Sequence, residues 1–210
     1  MAAQPYTEFE WHAASAANGA SGEKLTNVFV ALVKQLAGVI SICDLGCGNG
    51  HITGRLAAVG YEVTGIDASI SGLRIARQQY PEARFIQEYI DRDLNGLGEF
   101  DLVISSDVIE HLYHPSDLLE AARTLLKPNG QVLIGTPYHG YLKNVALAVT
   151  GKMDAHFSAL HDGGHIKFFS VDSLSQLMRR YGFVDLRFTF YGRAPWLWKN
   201  MICHARKAAA

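Results

Sequence analysis

The stretch Asp44-Leu45-Gly46-Cys47-Gly48-Asn49-Gly50 joins an apolar run to a segment of helical character. The run before it, residues 39–43, is a predicted buried strand, and residues 51–59 after it are a predicted helix. Three glycines at alternate positions therefore occupy a strand-to-helix turn. Glycine tolerates positive φ and lets a ligand approach the backbone closely. The helix that follows offers free N–H groups and a partial positive charge to an anionic group.

The acidic residues around this turn indicate a nucleoside ligand. Asp67 follows the strand-like run 61–66, and an acid at the end of the second strand of a doubly wound fold commonly binds ribose hydroxyls. The turn has G-x-G-x-G spacing, whereas a dinucleotide site needs G-x-G-x-x-G. Asp44 stands directly before the glycines, where a carboxylate repels a pyrophosphate but suits an ammonium or sulfonium group. These charges favour S-adenosyl-L-methionine, which carries both cations, a carboxylate and a ribose.

Four stretches, in this order, resemble motifs of the class I S-adenosylmethionine-dependent methyltransferases. Residues 44–50 resemble motif I, 65–69 resemble motif II, 100–107 resemble motif IV, and 126–134 resemble a helix end and the fifth strand of that fold. The resemblance implies an α/β, Rossmann-like, doubly wound sheet of seven strands, which is mixed because strand 7 is antiparallel. It also implies a single domain over residues 1–210.

Strand and helix patterns alternate along the chain, as a parallel sheet with helices on both faces requires. A first helix begins near Ser21, and a helix start signal recurs at residues 170–173. The other predicted helices are 51–59, 69–80 and 116–126, and the predicted strands are 39–44, 61–66, 84–87, 102–104, 131–135, 183–190 and 201–206.

The resemblance carries a set of cofactor-binding residues onto this chain. Tyr89 and Ile90 stand where the family contacts adenine, and they either flank that ring or cap the third strand. Cys47 is more typical of a small space-filling residue than of a nucleophile. The predicted set is Asp44, Gly46, Cys47, Gly48, Gly50, Asp67, Ala68, Tyr89, Ile90, Ser105, Ser106 and Asp107.

Residues 107–111, Asp-Val-Ile-Glu-His, resemble the acid-x-x-Glu-His motif of ubiquinone-biosynthesis O-methyltransferases. In that family, as in small-RNA 2′-O-methyltransferases, the motif resembles a divalent-metal site. Two carboxylates and an imidazole can hold a hard cation, which lowers the pKa of a bound hydroxyl. In the alternative, metal-free reading, the Glu-His pair only shapes the pocket. The predicted ligands of Mg²⁺ or Zn²⁺ are Asp107, Glu110, His111 and, as a fourth, His165.

Residues 136–169 are longer than an ordinary connection, and long insertions are often functional. We predict an acceptor lid here, inserted after the fifth strand. Four of the nine histidines lie between positions 139 and 165, and one of them is a candidate general base. Residues 141–150 are a predicted apolar helix that either covers the acceptor or makes peripheral membrane contact; sparse basic residues favour the cover. The catalytic candidates are His139, His165 and His111.

Composition restricts the remaining classes of protein. The chain has 210 residues, 49% of them hydrophobic, which suffices for one full core. Its net charge of −1 gives no long-range attraction to nucleic acid. Three cysteines without regular spacing fit a reducing, cytoplasmic environment. Residues 1–20 are a predicted mobile arm without a secretory pattern, and no apolar run reaches the length of a membrane span.

The predicted function is methyl transfer from S-adenosylmethionine to a small molecule, with a phenolic or quinol-type hydroxyl as the acceptor. One alternative is an RNA or protein acceptor, and another is a non-catalytic S-adenosylmethionine-binding protein. Turnover with any acceptor would exclude the latter. A macromolecular acceptor would be favoured by a basic face beside the pocket, formed by Lys34, Lys143, Lys167, Arg179, Arg180 and Arg193. The oligomeric state is not predicted.

Overall fold

The computed structural model describes residues 10–11, 20–90, 94–157, 160 and 164–209. Most of the predicted arm, and His161 of the predicted lid, lie outside the described residues.

Seven strands form one sheet in the order β3-β2-β1-β4-β5-β7-β6. β1 to β3 are parallel to one another, whereas β7 is antiparallel to both β5 and β6. The predicted mixed sheet of seven strands with an antiparallel seventh strand is therefore confirmed. The strands are β1 Ser41–Leu45, β2 Glu62–Asp67, β3 Arg84–Gln87, β4 Phe100–Ser106, β5 Leu126–Pro137, β6 Phe183–Tyr191 and β7 Asn200–Lys207.

The described helices agree with the periodicity of the sequence. The predicted start at residues 170–173 is a capping box, because Ser170 Oγ accepts a hydrogen bond from Ser173 N–H while Ser173 Oγ accepts one from Ser170 N–H. A short 3₁₀ helix covers Ile109–His111. The α-helices are α1 Ala20–Val33, α2 His51–Ala57, α3 Ile70–Gln79, α4 Pro115–Leu125, α5 Tyr141–Val149, α6 Met153–Phe157 and α7 Val171–Arg180.

The boundary between α4 and β5 differs from its prediction. The helix ends at Leu125, because Leu126 already has the extended angles φ −86° and ψ 132°. Pro128 disfavours helical geometry in the residue before it, so the chain leaves the helix early. β5 therefore starts at Leu126, although only Gln131–Pro137 pairs with β7.

The described residues divide into two compact units. The first comprises those up to Ile90 together with Phe100–Leu102, and the second comprises those of Asp91–Glu99 and Val103–Ala210. The first unit contains the glycine turn and Asp67, and the second contains the predicted metal ligands and the predicted lid. Fully buried apolar side chains fill each unit, such as Phe29, Ile42, Leu56 and Ile66 in the first and Leu118, Ile134, Leu174 and Phe183 in the second. Among the described residues, every helix is too short or too polar to serve as a membrane span.

In the first unit, the carboxylate of Asp101 connects the entry of β1 to the start of β4. Its Oδ2 accepts hydrogen bonds from the N–H groups of Ile40 and Ser41, at 3.0 and 2.9 Å, and from the hydroxyl of Ser41 at 3.0 Å. Ser41 Oγ in turn accepts one from Asp101 N–H at 3.2 Å. One side chain thus satisfies three donors at the start of the strand that carries Asp44.

We predict that Asp101→Ala lowers the free energy of unfolding by about 1–3 kcal/mol, since it leaves these donors without their acceptor. Glu82→Ala, which removes an exposed carboxylate of the same unit, is the matched control and should change stability by no more than about 0.5 kcal/mol. Urea denaturation measures both. Equal midpoints for the two variants would contradict the role given to Asp101.

Candidate active site

The glycine turn adopts the backbone geometry that its sequence predicts. Gly46, Gly48 and Gly50 have φ values of 79°, 53° and 76°, which residues with side chains rarely adopt. The N–H groups of Gly46 and Cys47 donate to the carbonyl of Ile66 at 2.8 and 3.1 Å. The turn is thereby fixed to the end of β2, beside Asp67.

The carboxylate of Asp67 connects the glycine turn to the loop before α3. Its Oδ2 accepts from Gly48 N–H at 2.7 Å, and its Oδ1 accepts from Ser69 N–H at 2.8 Å. These two bonds fix the orientation of the carboxylate at the end of β2, the position from which an acid of this fold is expected to bind ribose hydroxyls.

Asp44 is a buried acid at the end of β1. It is 3% exposed, and its Oδ2 accepts from the hydroxyl of Thr53 at 2.6 Å. Burial raises its pKa from 3.8 to about 7, and the nearby charge of Asp67 acts in the same direction. A cation bound beside Asp44 would lower this pKa, because it stabilises the ionised carboxylate.

Trp11 is a contact of the glycine turn that the sequence analysis missed. Its indole fits against two glycines: a Cβ on Gly48 would lie 2.5 Å from Trp11 Cζ2, and one on Gly72 would lie 2.9 Å from Trp11 Cδ1. The backbone N–H of Trp11 donates to Ser71 Oγ at 2.9 Å. The indole fits because Gly48 and Gly72 have no side chains. These two glycines are distant in sequence, so no local spacing predicts the contact.

Cys47 faces the interior of the first unit. It packs with Leu73, Ala76 and Phe85, and burial raises the pKa of its thiol well above the usual value. A buried thiol of this kind is a poor nucleophile, which agrees with the space-filling interpretation.

The remaining predicted cofactor residues of the first unit lie nearer the surface. Tyr89 is 56% exposed, Ile90 is half-buried, and the Ala68 carbonyl accepts a long hydrogen bond from Gln87 at 3.5 Å. Roles in cofactor binding stay predictions for all three.

In the second unit, polar side chains lie in the last residues of β4 and directly after it. Ser105 is buried, and Asp107 has a positive φ of 54°. Within the described part of the chain, the buried atoms Ser106 Oγ and Asp107 Oδ1 have no hydrogen-bond partner. Burial raises the pKa of Asp107 from 3.8 to about 6. These atoms are available to a ligand.

Glu110 is the most buried acid of this group, at 1% exposed. Its Oε2 accepts from the hydroxyl of Thr136 at 3.0 Å, whereas Oε1 has no hydrogen-bond partner among the described residues. Burial, and then the charge of Asp107, raise the pKa of Glu110 from 4.5 to about 8. A buried carboxylate with an unsatisfied oxygen is unfavourable unless a proton or a cation compensates it.

Two imidazoles lie beside this carboxylate. The Glu110 carbonyl accepts from the N–H groups of Ile166 and Lys167, at 2.9 Å each, which brings His165 Nε2 to 4.0 Å from Glu110 Oε1. The rings of His111 and His165 are 4.9 Å apart. Ligand atoms of Glu110, His111 and His165 all lie within 4.8 Å of one another. The structure thus groups three of the four predicted ligands; Asp107 is outside that group, although its charge acts on Glu110.

His139 lies inside the predicted lid and is 6% exposed. Its ring stacks on Phe157 at 5.8 Å and contacts Phe168 and His156 at 5.0 and 5.3 Å. Burial, followed by the charge of Lys143, lowers its pKa from 6.5 to about 4, so the imidazole is neutral at pH 7. Nδ1 is buried and makes no hydrogen bond of normal geometry in the described chain, although the side chain of Asn144 is near enough to oppose the lowering of the pKa. These rings enclose His139, so an acceptor reaches it only when they move.

The pKa of Asp44 yields a prediction for stability. Since the folded state holds this proton up to about pH 7 and an ordinary aspartate loses it near pH 3.8, Asp44 favours folding at low pH. That contribution is fully present below pH 3.8 and is lost progressively as the pH rises to about 7, and the whole loss amounts to roughly 4 kcal/mol. Asp44→Asn cannot ionise, so its stability relative to the wild type should increase from pH 4 to pH 7.

Urea denaturation at pH 4, 5.5 and 7 tests this, with Glu82→Gln as an exposed control that should follow the wild type. The other buried acids are unchanged in both proteins and cancel from the comparison. A constant difference between Asp44→Asn and the wild type would contradict the assignment.

Comparisons with known proteins agree with this geometry. Residues 18–187 match the family model described as a methyltransferase domain. The ubiquinone biosynthesis O-methyltransferase of Cereibacter sphaeroides is 31% identical over 167 residues, which are 76% of this chain and 67% of that protein. The protein of the same name from Ralstonia nicotianae is 35% identical over 148 residues, covering 67% and 61% of the two chains. This chain thus spans about two thirds of the length of such relatives.

A solved structure with a similar fold is the magnesium protoporphyrin IX methyltransferase of Synechocystis PCC 6803 with bound SAH. Its TM-score is 0.70 at 20% identity, and the alignment covers 97% of this chain and 91% of that one. The glycine turn, Asp67 and the sheet order are those expected of this fold. The chain therefore belongs to the methyltransferase-domain family, and it is an S-adenosylmethionine-dependent methyltransferase.

Proposed function

We propose that this enzyme transfers a methyl group from S-adenosylmethionine to the hydroxyl oxygen of a small phenolic or quinol-type acceptor. The names of relatives at about 30% identity support oxygen as the methylated atom. The observation that carries the proposal is the unsatisfied Oε1 of buried Glu110, with the imidazoles of His111 and His165 beside it.

The reaction forms an O–CH₃ bond as the S–CH₃ bond breaks, and the acceptor loses its hydroxyl proton. The positive charge on sulfur disappears during transfer, so the protein mainly positions the reactants, excludes water and removes that proton. The carboxylate oxygens Asp107 Oδ1 and Glu110 Oε1, which have no hydrogen-bond partner among the described residues, are suited to the removal of that proton.

For the cofactor, we assign the methionine end to Asp44 and the ribose to Asp67, with the glycine backbone passing close to both. Asp44 can neutralise an ammonium or sulfonium charge, and Asp67 is oriented by two backbone N–H groups at the end of β2, where an acid binds ribose hydroxyls. Trp11 packs on the same turn, so we include it among the residues that respond to the cofactor.

For the acceptor side, we propose that Glu110, His111 and His165 hold a divalent cation such as Mg²⁺ or Zn²⁺, with Asp107 adding negative charge. A carboxylate and two imidazoles form a donor set that such cations accept. When bound, the cation would lower the pKa of an acceptor hydroxyl. His139, neutral and with Nδ1 unpartnered among the described residues, would accept a hydrogen bond from that hydroxyl.

A macromolecular acceptor is less well supported by the described residues. The basic face that would favour it includes Lys143, yet this side chain is 2% exposed and therefore adds little to a basic surface on which an extended phosphate backbone could lie.

The first functional prediction concerns the metal. Methyl transfer from labelled S-adenosylmethionine to catechols and phenols should fall at least about 100-fold after chelation, the scale of lost proton-transfer assistance, and should return with Mg²⁺ or Zn²⁺. Glu110→Gln should reproduce the loss without rescue. Glu99→Gln, at an exposed position of the same unit, is the control. Full turnover after rigorous chelation would show that no metal is required and would assign proton removal to a histidine. His139→Gln and His165→Gln would then be the next variants.

A second prediction concerns Trp11. Because its indole packs on the glycine turn, cofactor binding should change its environment and therefore the tryptophan emission. The change should disappear in Trp11→Phe and persist in Trp196→Phe, whose indole is 62% exposed in the second unit. An undiminished signal in Trp11→Phe would show that the cofactor does not approach this residue.

A further inference from the structure

Lys143 is a buried lysine in α5, one turn after His139. Its side chain is 2% exposed, and its Nζ donates to the carbonyl of Tyr138 at 2.5 Å. Among the described residues this is its one hydrogen bond. An ammonium has three N–H donors, so two lack a described protein acceptor in a position that water hardly reaches.

The charges that act on Lys143 are unfavourable to it. Burial lowers its pKa from 10.5 to about 8, and the positive charges of Arg193 and Lys199 act in the same direction. A buried charge without a partner is strongly destabilising unless an opposite charge compensates it. Lys199 also acts on Asp107, whereas only positive charges of the described residues act on Lys143, so its ammonium favours an added anion.

The rings around Lys143 indicate what carries that anion. The ammonium donates to the carbonyl of Tyr138, the residue directly before His139, and its positive charge acts on both His139 and His156. Phe157 and Phe168 pack on the same rings, with centroids 4.9–5.8 Å apart. An aromatic acceptor could replace some of these ring contacts, while an acidic group on it pairs with the ammonium.

A purely structural role for Lys143 would explain its hydrogen bond but not the burial of its charge. Lys143 does hold the Tyr138 carbonyl just beyond β5, where Tyr138 N–H donates to the Lys199 carbonyl. A neutral donor could satisfy that carbonyl without the desolvation of an ammonium. The charge, rather than the hydrogen bond alone, requires an explanation.

We propose that Lys143 is the counter-ion of an anionic group, a carboxylate or an ionised hydroxyl, on an aromatic acceptor. The proposal rests on the methyl-transfer function proposed above and adds a specificity-determining residue to it. The acceptor binds as an anion, with its ring among the side chains of His139, His156, Phe157 and Phe168.

Three probes test the proposal: protocatechuate, which carries a carboxylate; its uncharged amide, which has nearly the same shape; and 4-nitrocatechol, whose hydroxyl ionises near neutral pH. Calorimetry with S-adenosylhomocysteine present measures binding without turnover. The wild type should bind at least one of the two anions about tenfold more tightly than the amide, as a charge-assisted hydrogen bond predicts. Preference for protocatechuate identifies a carboxylate site, and preference for 4-nitrocatechol alone identifies a phenolate site.

Lys143→Met should reduce that preference to about twofold or less, whereas Lys152→Met, which removes an exposed lysine after α5, should retain it. Lys143→Arg, which keeps the charge, should retain part of it. Urea denaturation shows whether each variant is folded. If Lys143→Met does not fold, equal binding of anion and amide by the wild type still overturns the proposal, and Lys143→Arg tests the position.

Equal binding of anion and amide by the wild type, no binding of any probe, or a preference unchanged in a folded Lys143→Met would overturn the proposal. Methyl transfer is measured separately on the wild type. Anion preference without methylation would retain the role of Lys143 and remove the proposed hydroxyl acceptor. Methylation without anion preference would retain the function and remove the role of Lys143.

Discussion

The constraint on which this structure depends is the burial of ionisable groups in surroundings that favour their neutral forms. Asp44, Glu110 and Lys143 are each at most 3% exposed, and their pKa values shift toward the neutral form because of burial. Such groups oppose folding in their charged forms. In a methyltransferase, they are the positions where a ligand of opposite charge contributes most.

Each unit contains buried ionisable groups of this kind. In the first, Asp67 is held by two backbone N–H groups, while Asp44 is bonded by the side chain and the backbone of Thr53 and lies near the negative charge of Asp67. We propose that a sulfonium or ammonium group of the cofactor supplies positive charge there. In the second, Glu110 Oε1 and two of the three N–H donors of Lys143 have no hydrogen-bond partner among the described residues. The proposed metal and the proposed acidic acceptor are complementary to these two deficits.

Much of the first unit could be predicted from sequence, because local rules determine it. The glycines take positive φ where a strand-to-helix turn requires it, and Asp67 lies at the end of β2 as the fold demands. Trp11 could not be predicted, since its contact depends on Gly48 and Gly72 meeting in space. The extension of β5 back to Leu126 was missed because Pro128 suggested a break and not a strand.

The second unit was less predictable, because long-range contacts place its residues. His165 reaches Glu110 through hydrogen bonds of the next two backbone N–H groups to the Glu110 carbonyl, which no spacing reveals; family resemblance alone suggested the pair. Lys143 was considered as part of an exposed basic face, the usual location of lysine. Its burial became evident only in the folded chain, and the role proposed for it depends on that burial.

The pairing of buried Asp44 with a cationic cofactor is tested by the number of protons released when S-adenosylmethionine binds at pH 6. Calorimetry in buffers of different ionisation enthalpy measures that number. At that pH Asp44, with a pKa of about 7, is mostly protonated, and a cationic cofactor beside it must displace the proton. The wild type should release close to one proton per bound cofactor, and Asp44→Asn should release none attributable to this site. Binding by the wild type without proton release would contradict this pairing.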